Sequence, residues 1–482
     1  MNIMPHFRKF DKYISFKFKK RRKARWWTIR LVMKFGGTSV DGAEGVSRIS
    51  GLVERFRREG HQIVVVTSAM ANVTDTLIKM AYMASGGRFP EKLMESLRNK
   101  HLKALKAVSE ESLKEEVRDY ISSLLDELGG FLSALSVVGE VGPRMLDYVL
   151  SFGERLSTKI VWAKLRDMGM EAEYFTGWDA GIVTDDSFGS ARPLMEETRK
   201  RVRERLLPVL EKGVIPVVTG YIAATREGHV TTFGRGGSNL TATLLGACLD
   251  ADEVWIWTDV DGVMTADPKM VENAKTVPYM SYDEAAEIAF FGAKVIQPYM
   301  VAPAVEVGVP IRVRNTFNPS CEGTLIGGDC RPTEQTVKVV CMKEDVAMVS
   351  LKRAYYSSAR EMVRLMEALL DVGVEGILMS QSFPKGGLCV IVPKSKLRQM
   401  LRSLKDVENL TVEVEDVSLI AVVGAGMKGR PGIAARTFGA VARRGINIRA
   451  IVQGPSEFNI SFVVKSSDGR EAVRAVHDEF IG

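Results

Sequence analysis

Over the first two thirds of the chain, apolar and polar positions alternate between two textures. Ile29 to Phe35 is a short apolar, β-prone run that breaks at Gly36 and Gly37, and beyond it Val46, Ile49, Leu52 and Val53 recur at helical spacing. The pattern predicts strand, glycine turn, helix. Gln62 to Thr67 is a continuous apolar run of the kind buried on both faces of a parallel sheet. Val214 to Thr219, Val254 to Trp257 and Ile311 to Arg314 read the same way, and residues 75 to 150 are largely helical in pattern. Strands separated by helices predict an α/β layered domain with a mainly parallel sheet, placed at residues 31–330.

After Thr324 the texture shortens. Gly327, Gly328 and Pro332 mark a loop. Strands are then expected at Val346 to Leu351, Ile377 to Ser382 and Leu388 to Val392, with helices at Ser358 to Asp371 and Ser395 to Leu404. The same order returns about 70 residues later: a strand at Val417 to Val423, a helix at Ile433 to Arg444, strands at Ile446 to Gln453 and Phe458 to Val464, and a helix at Arg470 to Phe480. This spacing predicts two small βαββαβ modules of ferredoxin-like type, at residues 340–412 and 413–482.

Charge changes the picture only at one end. The formal net charge is +7, but residues 1–30 carry eleven Lys or Arg against Asp11 alone, net +10, which leaves −3 for everything after Arg30. A basic arm with interleaved Phe and Trp could touch nucleic acid or anionic lipid, but charge alone supports that, and the reading taken is a disordered tail, or translation from a start at Met33. The acidic body argues against a nucleic-acid partner, and no apolar run approaches a membrane span. Five cysteines stand singly, without a CxxC pair, which predicts reduced thiols in a cytoplasmic protein. The five histidines are equally scattered, so no protein metal site is expected.

Candidate chemistry lies in five glycine-marked loops. Lys34-Phe35-Gly36-Gly37-Thr38-Ser39 puts a lysine at a strand end, then backbone amides and a helix start, which is a phosphate cradle with a neutralising cation. The lysine precedes the glycines, so the string is not a Walker A loop, and a strand ending in Gly-Gly alone reads equally as an ordinary tight turn. Phe233-Gly234-Arg235-Gly236-Gly237-Ser238-Asn239 embeds an arginine suited to bidentate grip of a carboxylate. Glu154, in Ser151 to Ser157, reads either as a helix-start acid or as an anchor for an ammonium group. Trp257 to Lys269 is a turn-rich loop after a buried strand, and Phe291 to Val295 sets Lys294 beside Gly292.

Together, Lys34 to Val40, Ser151 to Ser157, Gly234 to Ser238, Trp257 to Pro268 and Gly292 to Pro298 resemble the successive signatures of the aspartokinases in the amino-acid-kinase superfamily. The likeness runs from about Val32 to the C-terminus. The tail resembles their paired ACT modules, most clearly in Gly429 to Ala435 and Gly445 to Ile448, and the form resembled is the monofunctional one. The resemblance implies an αβα amino-acid-kinase domain that moves the γ-phosphoryl group of ATP, with Mg²⁺, onto the side-chain carboxylate of L-aspartate. It implies Lys34, Lys294 and position 239 as catalytic, and Gly36, Gly37, Ser39, Thr258, Asp259, Met264, Lys269 and Val295 around the nucleotide. Ser68, Thr74, Glu154, Tyr221, Arg235 and Ser238 would hold the substrate. It further implies a homodimer or higher homo-oligomer through the ACT modules, with lysine or threonine as an effector. In the first module Arg353 to Ser358 occupies the loop where the second has a glycine-proline turn, so effector contacts are expected in the second, at Met427, Gly432, Ile433, Gln453 and Asn459.

Three positions depart from the pattern. Asn239 stands where aspartate is usual, Met264 where tyrosine is common and Gln297 where histidine is common. The neutral amide at 239 keeps hydrogen bonding and loses a charge, which leaves a catalytically weak regulatory paralogue as one alternative. An acetylglutamate or glutamate 5-kinase on the same fold is the other.

Overall fold

The computed structural model describes residues 29–291, 298–328, 335–353, 366–367, 378–382, 387–404 and 410–482. Most of the basic arm, Lys294, Val295, Gln297 and most of the first module's Arg353 to Ser358 loop lie outside the described residues.

Ten strands build the larger unit: β1 (Arg30–Phe35), β2 (Gln62–Thr67), β3 (Ala172–Phe175), β4 (Ile215–Thr219), β5 (Ile222–Ala224), β6 (Val230–Thr232), β7 (Glu253–Thr258), β8 (Tyr279–Ser281), β9 (Ile311–Asn315) and β10 (Thr324–Gly327). Eight of them form one sheet in the order β3-β4-β2-β1-β7-β9-β10-β8, and β5 and β6 make a separate hairpin. From β3 to β9 every pairing is parallel; β10 turns back against β9 and pairs parallel with β8.

The continuous apolar runs divide by alternation between two cores, as strand geometry requires. Val32, Val64, Val66, Val254 and Ile256 face one core, with the helices Met195–Glu211, Gly237–Cys248 and Tyr282–Phe290. Leu31, Met33, Phe35, Ile63, Val65 and Trp257 face the other, with the helices Gly42–Arg58, Val73–Ser85 and Pro143–Asp167. The layering is therefore αβα. One helix, Glu111–Val138, is long and apolar enough to cross a membrane by length and composition. Its stripe from Val117 through Ile121, Leu124, Leu128 and Leu132 to Leu135 is buried in the second core, against its neighbouring helices.

The remaining strands are β11 (Val339–Arg353), β12 (Leu378–Ser382), β13 (Gly387–Pro393), β14 (Leu410–Val423), β15 (Ala450–Gln453) and β16 (Asn459–Lys465), in one antiparallel sheet of order β12-β13-β11-β14-β16-β15. The strand expected to open the first module at Val346 starts at Val339 and runs through both halves of this sheet. Its register on β14 shifts between Lys343 and Val346. Before the shift, Val337 and Val340 pack with Ile420, Phe462, Val473 and Val476; after it, Val349 and Leu351 pack with Leu388, Val390 and Met400. The second core thus takes in a segment that precedes the first module in sequence.

Two features join this sheet to the kinase-like unit. Ala266 and Val271, from the loop after β7, are buried in the same cluster as Val473 and Val476, and Thr265 Oγ1 lies 2.9 Å from His477 Nε2. The second is a buried ion pair at the start of the helix Tyr282–Phe290. Glu284 closes a capping box with Ser281, and its Oε2 also accepts from Lys338 Nζ at 2.7 Å while Oε1 accepts from the Ala425 N–H at 2.7 Å. Glu284 is fully buried and Lys338 is 3% exposed. A carboxylate so placed is tolerated only because every donor around it is aimed at it.

Replacing Lys338 by methionine is expected to cost about 3–5 kcal/mol of unfolding free energy, because it strands a buried carboxylate. Lys338→Met combined with Glu284→Gln recovers part of that loss. Urea denaturation of both variants reads it; a change of about 0.5 kcal/mol or less in the single variant, the scale of an exposed pair, contradicts the assignment.

Candidate active site

The parallel strands β1, β2, β4, β7 and β9 all end at the same edge, so the loops that follow them converge, as ligand loops do in open α/β sheets. Lys34 is the penultimate residue of β1 and is 8% exposed. After it the chain turns tightly: the Gly36 N–H donates to the Trp257 carbonyl, and those of Ser39 and Val40 return to the Gly36 carbonyl. The N–H groups of Gly37 and Thr38 have no acceptor among the described residues. A Cβ on Gly37 would sit 2.8 Å from the Ala69 carbonyl oxygen, so this turn and the one after β2 can nest only with glycine there.

Glu154 arrives from the middle of the helix Pro143–Asp167, not from a helix start. It comes close because Gly153 has no side chain; a Cβ there would lie 2.9 Å from that of Ala69. Glu154 is 3% exposed, Oε1 accepts from the Ala69 N–H at 3.0 Å, and Oε2 is buried without a partner. Burial pushes its carboxyl up to about 8, against the Ala69 hydrogen bond and the nearby Lys34 charge. Burial likewise pushes the Lys34 ammonium down to about 8, with Glu154 and Asp259 pulling the other way. Burial makes each group hold its charge poorly, and a neighbouring group of opposite charge would relieve it.

The remaining expected residues fall around this pair. Ser68 leads the β2 turn, its carbonyl accepting from Ser157 Oγ, and Thr74 sits in the first turn of the helix Val73–Ser85. Tyr221 follows β4 with φ of 67°, strained for a bulky residue; Thr241 Oγ1 accepts its N–H, and its carbonyl accepts the Phe233 N–H. Ser238 and Asn239 open the helix Gly237–Cys248, both nearly buried, and Asn239 Oδ1 has no hydrogen-bond partner. Arg235 is exposed and has no ion-pair partner among the described residues; its charge reaches the Tyr299 hydroxyl, and that of Glu154 reaches Tyr221. Thr258 ends β7, with its hydroxyl on Asp259, while Met264 and the exposed Lys269 lie further along that loop.

Ser39 is buried and its hydroxyl lies 2.7 Å from Thr316 Oγ1, bracing the β1 turn against the residue after β9. That contact brings in residues the sequence reading passed over. Asn315 Nδ2 donates to Asp261 Oδ1 at 2.8 Å, Asn318 Nδ2 donates to the same atom at 3.1 Å, and the Thr316 N–H donates to the Thr258 carbonyl. The signal was present, since Asn315 to Pro319 is a polar turn cluster at the end of a recognised buried strand.

In the regulatory sheet, Met427 and Ile433 are core residues and Gly432 caps the helix Ile433–Arg443 in a left-handed conformation. Gln453 is exposed at the end of β15. Asn459 reaches the larger unit: its Nδ2 donates to Glu287 Oε2 at 3.2 Å, and Ser456 Oγ donates to Glu287 Oε1 at 3.2 Å. Among the described residues no cluster of three or more His, Cys, Asp or Glu side chains is placed to hold a metal ion.

Residues 30–315 match the amino acid kinase family, and residues 420–480 match an ACT domain. The chain is 32% identical over 468 residues to aspartokinase 2, chloroplastic, of Arabidopsis thaliana, covering 94% of this chain and 84% of that one. It superimposes on E. coli aspartokinase III in complex with aspartate and ADP, described as the R-state, with a TM-score of 0.80 and 27% identity over 94% of this chain and all of that one. The same enzyme in complex with lysine and aspartate, described as the T-state, gives 0.76 and 28% over 94% and 99%. The family match over more than half of its length, with identity that extends through the regulatory sheet, makes this chain a member of the aspartokinases within the amino acid kinase family.

Proposed function

We propose that this chain transfers the γ-phosphoryl group of ATP to the side-chain carboxylate of L-aspartate, forming 4-phospho-L-aspartate and ADP. The observation that carries the substrate is the buried, unpartnered Oε2 of Glu154 beside Lys34. An α-ammonium group supplies what that oxygen lacks. An N-acetylated substrate offers only a neutral amide N–H and no compensating charge, which disfavours the acetylglutamate reading. Arg235, without an ion pair among the described residues, is the complementary grip for a carboxylate, with Ser238, Thr74, Ser68 and Tyr221 around it.

The nucleophile is already ionised at neutral pH, so the chain needs no general base. Its work is to align two anions and neutralise the group in flight. In this reading Lys34 meets the transferring phosphoryl oxygens, the N–H groups of Gly37 and Thr38 receive phosphate, and Thr258, Asp259, Met264 and Lys269 line the nucleotide side. Lys294 and Val295 are assigned to that side by family resemblance. Mg²⁺ bound to the nucleotide would add charge neutralisation, with Asp259, whose charge acts on Lys34, as a carboxylate on that side. Because Asn239 keeps an orphan oxygen at a catalytic position but no charge, a weak regulatory paralogue remains the second reading.

The same proposal divides the chain into a catalytic unit at 31–330 and two ACT-like modules after it, forming a homodimer through the regulatory sheet. Free Cys248, Cys321, Cys341 and Cys389 suit a reducing, cytoplasmic setting.

Trapping the acyl phosphate with hydroxylamine is expected to yield aspartate hydroxamate with ATP, and none with N-acetylglutamate or glutamate. No turnover by the natural chain, with recovery in Asn239→Asp, would establish the regulatory reading instead. For the effector, lysine or threonine is expected to inhibit through the loops at 427–433 and 453–459, the second of which reaches the catalytic unit at Glu287. Glu287→Ala is then expected to blunt inhibition while leaving uninhibited turnover in place. Inhibition curves for both amino acids test this, and no response to either removes the sensor assignment.

A further inference from the structure

A second buried acid on the Glu154 helix has no part in the chemistry above. Asp147 lies seven residues before Glu154, two helical turns, so the two carboxylates project from the same face of the helix Pro143–Asp167. Asp147 is 1% exposed and bonds only to donors: Oδ2 accepts from the Gly189 N–H at 2.8 Å and the Thr232 N–H at 2.9 Å, and Oδ1 accepts from Thr232 Oγ1 at 2.7 Å. Burial pushes its pKa up, and these three hydrogen bonds pull against that rise. Three donors and no acceptor describe the environment of a carboxylate, because an ionised carboxyl only accepts.

What those donors belong to gives the residue its importance. Thr232 ends β6, three residues before Arg235. Gly189 lies in the facing loop, and its carbonyl oxygen would be 2.9 Å from a Cβ on Gly234, whose φ is 71°. The Ala191 N–H donates to the Thr232 carbonyl, closing the two segments on each other. Arg235 itself is exposed and has no ion pair among the described residues, so the place from which it reaches is fixed by the backbone that Asp147 ties together.

We propose that Asp147 is a positioning residue for substrate selection. Its carboxylate clamps the Gly189 loop to the end of β6 and thereby aims Arg235 at the substrate carboxylate. The inference rests on the reading of Arg235 as the substrate grip. One helix then sets both ends of the amino acid: Glu154 directly at the ammonium, and Asp147 at the carboxylate through the arginine loop.

The test is a double-mutant cycle on the full chain, read as KM for aspartate, KM for ATP and kcat. Arg235→Ala, Asp147→Asn and the double variant are compared. Asn at 147 is nearly isosteric, but its NH₂ group faces a donor where an acceptor is needed. Asp147→Asn is expected to raise KM for aspartate about tenfold or more while KM for ATP stays near its natural value. In the Arg235→Ala background the same change is expected to have little further effect, since the grip it aims is gone. Should Asp147→Asn fail to fold, Thr232→Val, which removes one of the three donors, raises KM for aspartate, and Thr232→Ser restores it. If Arg235→Ala leaves KM for aspartate unchanged, the reading of Arg235 fails and the inference falls with it. If Arg235→Ala raises it but Asp147→Asn or Thr232→Val moves both KM values together, or adds fully to Arg235→Ala, Asp147 only holds the fold and the inference alone is overturned.

Discussion

The site depends on burying a basic and an acidic side chain near enough for each to feel the charge of the other. Lys34 and Glu154 come from different elements, one near the end of the central strand and one from the middle of a long helix, and each is destabilised as an ion by burial. Neither finds a full set of partners inside the protein, since Glu154 keeps a bare oxygen. Such an arrangement costs stability and is tolerated only in a closely packed frame. In the proposed reaction the substrates bring the partners, an ammonium for Glu154 and phosphate oxygens for Lys34, so the proposed site is complementary to a ternary complex.

The frame that holds the pair explains much of the local sequence. Parallel strands bring the turns after β1 and β2 to one edge, and Gly37 and Gly153 permit the approach that lets Glu154 reach the Ala69 amide. Further along the same edge, Ser39, Thr316, Asn315 and Asp261 brace the turns after β1, β7 and β9 against one another. The regulatory sheet engages this frame at two places. Its core takes in Ala266 and Val271 from the loop after β7, and its 424–427 and 456–459 segments grip the helix Tyr282–Phe290 through Glu284 and Glu287. Any rearrangement of that sheet therefore acts on the loop after β7, which the proposed reaction assigns to the nucleotide, and on the helix Tyr282–Phe290.

The central strands and the strand-end lysine were legible because continuous apolar runs and a glycine break are local properties of the chain. Glu154 was legible as a motif but not as geometry: its expected place at a helix start is a mid-helix position made accessible by Gly153. The short strands β3, β8 and β10 carry three or four residues each, too few for periodicity to register. The double use of β11 could not be read locally at all, since its register shift and its partners on β14 lie more than sixty residues apart in sequence. Ser39 and Asp147 were hidden for a related reason. Which hydroxyl braces and which binds, and which buried acid is met by three donors, depends on neighbours brought from distant segments.

Isothermal titration of aspartate into the enzyme at about pH 7, in buffers that differ in ionisation enthalpy, measures the proton exchanged on binding and tests the buried pair most directly. With its pKa held up to about 8 in the free site, Glu154 is mostly protonated there and must ionise to meet the substrate ammonium. Aspartate binding is therefore predicted to release close to one proton, the release fading as pH rises through about 8 and vanishing in Glu154→Gln. Binding heat with no proton exchanged, or with a proton taken up, would contradict the assignment of Glu154 as the ammonium site.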